Sequence, residues 1–138
     1  MENLYFVSKY NLGGAVLKPR VPDNFMVRNG YEDGETERVC FSDSVDGCLT
    51  GLSRNIEGET FHVHVPDGEY EVVEPTEDQV PDCKMTGEKW ICSPVRLRRI
   101  GTIQVTGSVG DGIPYRYGGN TAELYRWTWK VVDAKRDK

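Results

Sequence analysis

Thr86-Gly87-Glu88-Lys89-Trp90 gathers a hydroxyl, a carboxylate and an indole beside a short apolar run. Glu88 is the most interesting carboxylate of the chain for that reason, with a solvated turn beside a core Trp as the alternative reading. Glu32, Asp33, Asp78 and Asp82 are further acidic candidates, but nothing in their spacing singles them out. His62-Val63-His64 puts two imidazoles on one strand face, half of a metal site at most, because zinc needs further ligands and none follows at ligand spacing. A plain polar strand face is the better explanation of the pair, and no metal is expected. No Gly-x-Ser-x-Gly elbow is present. The glycine-rich segment 107–119 lacks the Lys-Ser/Thr ending of a phosphate loop.

The elements that must position these groups come next. Fifteen glycines and seven prolines cut the 138 residues into short pieces, the pattern of one mostly β domain spanning 1–138. Asn3 to Ser8 reads as an opening strand, although Glu2-Asn3-Leu4-Tyr5-Phe6 also reproduces most of a protease-tag site without its Gln. A polar loop of some twenty residues follows Leu17, with Arg20, Asn24, Phe25, Asn29 and Tyr31 along it. Loops this long usually carry function or stay disordered, and this one is too aromatic for a linker.

Arg38 to Phe41 then reads as a strand. Ser42-Asp43-Ser44 offers N-cap oxygens to a helix whose apolar face is Val45, Cys48, Leu49 and Leu52. Gly47 and Gly51 in that helix predict close packing against a neighbour.

Thr60 to Val65 alternates, with Phe61, Val63 and Val65 opposite His62 and His64. Asp67-Gly68 predicts a turn into a strand over Glu69 to Glu74, completing a hairpin. Trp90 to Cys92 is a short extended piece. Val95 to Thr106 is a long strand whose register slips at Arg99-Ile100, predicting a bulge. Asp111-Gly112 reads as a turn. Tyr125, Trp127, Trp129 and Val131 then form the aromatic face of a closing strand, and the tail 133–138 is expected to fray.

A net charge of −5 disfavours general nucleic-acid binding; the basic run Arg96-Leu97-Arg98-Arg99 splits between two strand faces. Cys40, Cys48, Cys83 and Cys92 show no CxxC and no secreted framework. With no signal peptide or transmembrane run, a reducing cytoplasm and no membrane partner are expected.

In order, these blocks resemble the small ADP-ribosyltransferase-like fold, in its rifampin ADP-ribosyltransferase branch. The matching blocks are Leu4 to Ser8, Arg38 to Ser42, Val45 to Leu52, Phe61 to Val65 and Thr86 to Gly101. The resemblance implies an α+β fold of antiparallel strands in two facing sheets, with a cleft that binds bent NAD under the long loop. Phe6 stands where the family has a ribose-binding His, and Cys40 stands at its second-strand aromatic position. Glu88 is the nearest match to its carboxylate. The implied protein is therefore a degenerate transferase that sequesters an NAD-derived or cyclic-nucleotide ligand without needing a cofactor. In it Arg20 and Arg38 meet phosphates, Phe25, Tyr31 or Trp90 stacks on a base, and Ser8 and Asn24 read polar edges. Tyr5, Phe6 and Ser42 line the same cleft. Segments such as Pro19 to Phe25, Asn29 to Gly34 and Arg38 to Ser42 also resemble short bacterial and phage proteins, which suits a counter-defence role. The alternatives are an active NAD-consuming enzyme with Glu88 as catalytic carboxylate, and a protein-binding β domain that uses the loop as its interface.

Overall fold

The computed structural model describes residues 3–52, 54–117 and 120–133. It is mixed α+β, strand-rich and antiparallel throughout. The strands are β1 (Phe6–Ser8), β2 (Val16–Leu17), β3 (Val39–Ser42), β4 (Thr60–Pro66), β5 (Glu88–Ile91), β6 (Val95–Tyr117) and β7 (Asn120–Asp133). Three short helices accompany them: α1 (Phe25–Arg28), α2 (Val45–Thr50) and α3 (Cys83–Thr86). The larger sheet runs β1-β4-β6-β2 with β7 also on β6, and β3 with β5 forms a second, two-stranded sheet. Among the described residues no helix is long and apolar enough to cross a membrane.

The slip expected at Arg99-Ile100 is present. Val63 pairs with Gly101 and His64 with Arg99, so Ile100 is the extra residue. A one-residue insertion turns the following side chains to the other face. Val95 and Leu97 accordingly join one core with Leu4, Val39, Phe41 and Ile91. Ile103 and Val105 join another with Leu49, Ile56, Phe61 and Val63. A single long strand thereby serves both cores, and the first is shared between the two sheets.

Helix α2 starts where the sequence predicts. The Ser44 hydroxyl accepts from the Gly47 amide, satisfying an orphan donor of the first turn. Gly47 is packed so closely that an added Cβ would lie 1.9 Å from the Thr86 carbonyl. Trp127 and Trp129 lean on the second core, and the Trp129 indole donates to Asp46 of α2 at 2.8 Å. Val131, expected on the same face, is exposed.

Four expectations change. The long loop is not structureless: it carries α1 and the backbone bridge between Arg20 and Arg38, and β2 leads into it. The segment Glu69 to Glu74 forms no hairpin strand, because both edges of β4 are already filled by β1 and β6. Only Val73 bridges, and it bridges to Trp90. Asp111-Gly112 is no turn; β6 continues through it with a register shift between Gly110 and Pro114. His64, expected on a polar face, is fully buried, because β1 and the Leu12 segment cover that side of β4. The tail beyond Asp133 lies outside the described residues.

Candidate functional site

The two-stranded sheet has one apolar face and one chemically loaded face. Period-two alternation sends Val39, Phe41 and Ile91 into the first core. Arg38, Cys40, Glu88 and Trp90 belong to the other set of positions, with Cys40 opposite Trp90 and Ser42 opposite Glu88. Trp90 is fully buried against Val80 and Cys83. Its indole nitrogen donates to Glu88 Oε2 at 2.7 Å. The Arg38 guanidinium carbon lies 4.3 Å from the centroid of the same indole, a cation–π contact.

Arg38 is 2% exposed. Its Nη1 donates to the carbonyls of Asp33 at 3.0 Å and Thr36 at 2.8 Å. Its Nε and Nη2 are buried with no oxygen or nitrogen acceptor among the described residues, and the Cys40 thiol interacts with the same guanidinium. The Asp33 turn that holds Nη1 is itself well made. The Asp33 carboxylate accepts from the amides of Glu35 and Thr36, the Thr36 hydroxyl and the Gln79 side chain. The backbone donors lead in holding its pKa down to about 2. A backbone bond from Asp33 to Gln79 at 2.8 Å latches this loop to the 76–80 segment.

Three other carboxyls behave oppositely. Burial pushes the pKa of Glu88 up, helped by the negative charge of Asp82 and opposed by the Trp90 hydrogen bond and by Arg38. Glu32 is raised by burial and then by Glu88 and Asp82. Asp82, at the N-terminal end of α3, is raised by burial. Glu32 and Glu88 therefore lie within reach of one buried guanidinium, Asp82 acts on both of them, and all three hold their protons more tightly than ordinary carboxyls. Burial also pushes the thiols of Cys40 and Cys48 up to about 12, which keeps them protonated and poor as nucleophiles.

Glu88 reaches the surface in an open cleft of about 490 Å³. Asp43, Glu74, Glu77, Lys84 and Lys89 share its lining, with Lys84 paired to Glu77 at 2.8 Å and Lys89 to Glu74 at 2.7 Å. The approach to Glu88 is set by tight backbone packing. Gly87 has a φ of 68°, in the left-handed region, and its carbonyl accepts from the Asp43 amide at 3.0 Å. The Ser42 hydroxyl donates to the Thr86 carbonyl and accepts from the Ser44 amide at 3.2 Å.

Arg38, Ser42, Glu88 and Trp90 are thus brought together on β3 and β5, and the Tyr5 backbone joins them through its bridge to Ser42. The others are placed elsewhere. Phe6 packs edge-on to Phe41, with centroids 5.9 Å apart, in the first core. The Ser8 hydroxyl accepts from the Tyr10 amide. Asn24 caps α1, Arg20 is exposed, and Tyr31 is half exposed on the loop. Phe25 opens α1, its side chain outside the described atoms. Of the residues expected at the site, the cleft lining includes Glu88 alone. Glu32 and Asp82 were visible only as undistinguished acids, and Gln79 carried no signal at all. Alternation on Arg38-x-Cys40 and Glu88-x-Trp90 was the readable clue.

The histidine pair is committed to the fold. His64 Nε2 accepts from the Leu12 amide at 2.9 Å while Nδ1 donates to the Phe6 carbonyl at 3.1 Å. His62 Nδ1 accepts from Arg99 Nε at 3.0 Å. Among the described residues no group of three or more His, Cys, Asp or Glu is arranged to hold a metal ion. Compared with protein-family models, curated proteins and solved structures, the chain matches none.

Proposed function

We propose that the protein binds and retains a small NAD-derived or cyclic-nucleotide ligand in the cleft at Glu88, on an ADP-ribosyltransferase-like scaffold, without consuming it. The observation that carries this reading is the Arg38–Trp90–Glu88 unit, in which one buried indole holds a carboxyl on its nitrogen and a guanidinium over its ring. A carboxyl and a guanidinium within one site suit a ligand with both hydroxyls and phosphates. The remaining lining is acidic, with its two lysines already paired, and this favours the ribose part of such a ligand over its pyrophosphate at the rim.

Phe6 and Cys40 argue against turnover. On the resemblance, they stand at the positions of the family's ribose-holding His and its second aromatic, and neither can supply those contacts. Sequestration in a cytoplasm, as a phage counter-defence protein would perform it, fits a pocket that binds and does not react.

The test is direct. Purified protein, denatured and filtered, should release material absorbing at 260 nm that chromatography identifies as a nucleotide. A clean protein that also fails to take up any nucleotide would remove the reading.

A second reading rests on Glu88 itself, a half-buried carboxyl open to a cleft, which is where a transferase or glycohydrolase needs one. Nicotinamide release from NAD that disappears in Glu88→Gln would establish it in place of the first.

A further inference from the structure

Strand β7 pairs with β6 alone, so its other edge has no strand beside it among the described residues. The backbone groups on that edge can be identified from β6. Val105 donates to the Glu59 carbonyl at 2.9 Å and accepts from the Gly58 amide at 2.8 Å, both on the β4 side. Ile103, two residues back, faces Phe61 of β4 in the same way. The β7 residues opposite Val105 and Ile103 are Trp129 and Val131. A pair whose β6 member turns its amide and carbonyl away exchanges no bonds, so Trp129 and Val131 turn theirs outward as well. Alternation adds Trp127 to the set. No backbone bond outside the strand ladders reaches any of the three. Beside them, Val131 is 60% and Val132 56% exposed. Water can satisfy the outward amides and carbonyls but not the two valines. A strand laid along this edge would satisfy the first and cover the second.

The strand that fits is β7 of a second copy, because an antiparallel edge can pair with itself across a two-fold axis. The charges on β7 discriminate between registers. A register centred on Thr128 sets Arg126 opposite the second copy's Lys130, twice, with like charges facing. One centred on Trp127 carries the valines past the aromatic positions. One centred on Trp129 sets Val131 opposite the second copy's Trp127, twice, an aromatic against a β-branched side chain, which is a favourable cross-strand pair. It also sets Arg126 opposite Val132 and Lys130 opposite Thr128, so no like charges face directly.

We propose that β7 is a homodimer interface, in which two copies pair these edges antiparallel about an axis at Trp129 and join their larger sheets into one. Trp129 contributes its backbone, and its indole keeps the bond to Asp46. The inference is independent of the nucleotide reading. One strand pair is a small contact, so the dimer is weak, with a Kd on the order of 100 μM.

Sedimentation velocity of the whole chain from about 10 μM to about 1 mM tests this, with amide hydrogen exchange followed at both ends of the range. The sedimentation coefficient should rise from monomer towards dimer. Exchange at Trp127, Trp129 and Val131 should slow as the dimer forms, while Thr128 and Lys130, whose amides face β6, should not change. Val131→Lys loses the pair with Trp127 and adds like charge beside Lys130, and it should weaken the dimer about tenfold or more. Val131→Pro removes an outward amide without touching the ladder to β6 and should do the same. Val131→Lys should melt as the parent does at concentrations where both are monomers. A chain that stays monomeric across the range, with its outward amides unprotected, overturns the proposal and leaves the edge to a different chain. A dimer without the alternating protection, or one that both variants leave intact, overturns it as well.

Discussion

Glu88 Oε2 accepts a hydrogen bond from Trp90 Nε1 at 2.7 Å, two residues along the same strand, with the Arg38 guanidinium over the indole ring. A buried tryptophan needs a partner for its N–H, and here the partner is the one carboxyl of the cluster that also opens to the cleft. Trp90→Phe keeps most of the ring volume and removes that donor. It should cost about 1–2 kcal/mol by denaturant unfolding. It should also move the pKa of Glu88 further up, since the lost bond favours the ionised form; carboxyl-region NMR titration reads this directly.

Glu88→Gln should not destabilise the protein at neutral pH. In the folded state Glu88 has a raised pKa, so the native protein binds more protons than the unfolded chain. Stability therefore falls as pH rises from the ordinary glutamate range through the folded value. The amide carries no such penalty. Melting temperatures of the two proteins should converge in acid and separate above it, with the variant melting higher and more stable by on the order of 1 kcal/mol. Part of the wild-type slope will remain in the variant, because Glu32 and Asp82 are raised as well.

Asp33 runs the opposite way. Its pKa is depressed to about 2, chiefly by the Thr36 and Glu35 amides, so its contribution is present above the ordinary aspartate value and is lost as pH falls towards about 2. Asp33→Asn should lose about 1–3 kcal/mol of stability near neutrality. Hydrogen exchange should rise first at Thr36 and Arg38, whose segment the Asp33 turn holds against Arg38 Nη1 and Gln79.

Gly47→Ala should be among the most damaging small substitutions in the chain. The new Cβ meets a backbone carbonyl, that of Thr86, rather than the end of a flexible side chain. A cost of about 3 kcal/mol is expected from overpacking a site that cannot yield locally. Because Thr86 and Gly87 lead directly into Glu88, ligand binding should weaken along with stability, and Gly51→Ala, with only ordinary contacts, is the matched control.

Much of this architecture could be read from residue periods. The Ser44-capped helix, the slip at Ile100 and the tight glycine at 47 are local signals, and each is present. The failures are non-local. Nothing within Glu69 to Glu74 reveals that both edges of β4 are already occupied, and nothing within His62-x-His64 reveals that loop backbone comes to rest against the second imidazole. At the site, the Thr86 to Trp90 block set Glu88 beside Trp90 and Arg38 entered only through the family resemblance; the structure puts Glu88 on the Trp90 indole nitrogen and Arg38 over its ring. The gathering of Glu32 and Asp82 around Glu88 depends on how a loop and a one-turn helix fold over the sheet, and no spacing encodes that.

The central claim is that the cleft at Glu88 holds a small nucleotide, and thermal unfolding with a panel of NAD, ADP-ribose, cyclic ADP-ribose isomers and cyclic dinucleotides tests it most directly. A true ligand present at about a hundred times its Kd should stabilise the native state by about 2.7 kcal/mol. The account predicts a shift of that size with one member of the panel, recovered intact afterwards. Unchanged melting with every member would contradict it and leave the loop face as a protein interface.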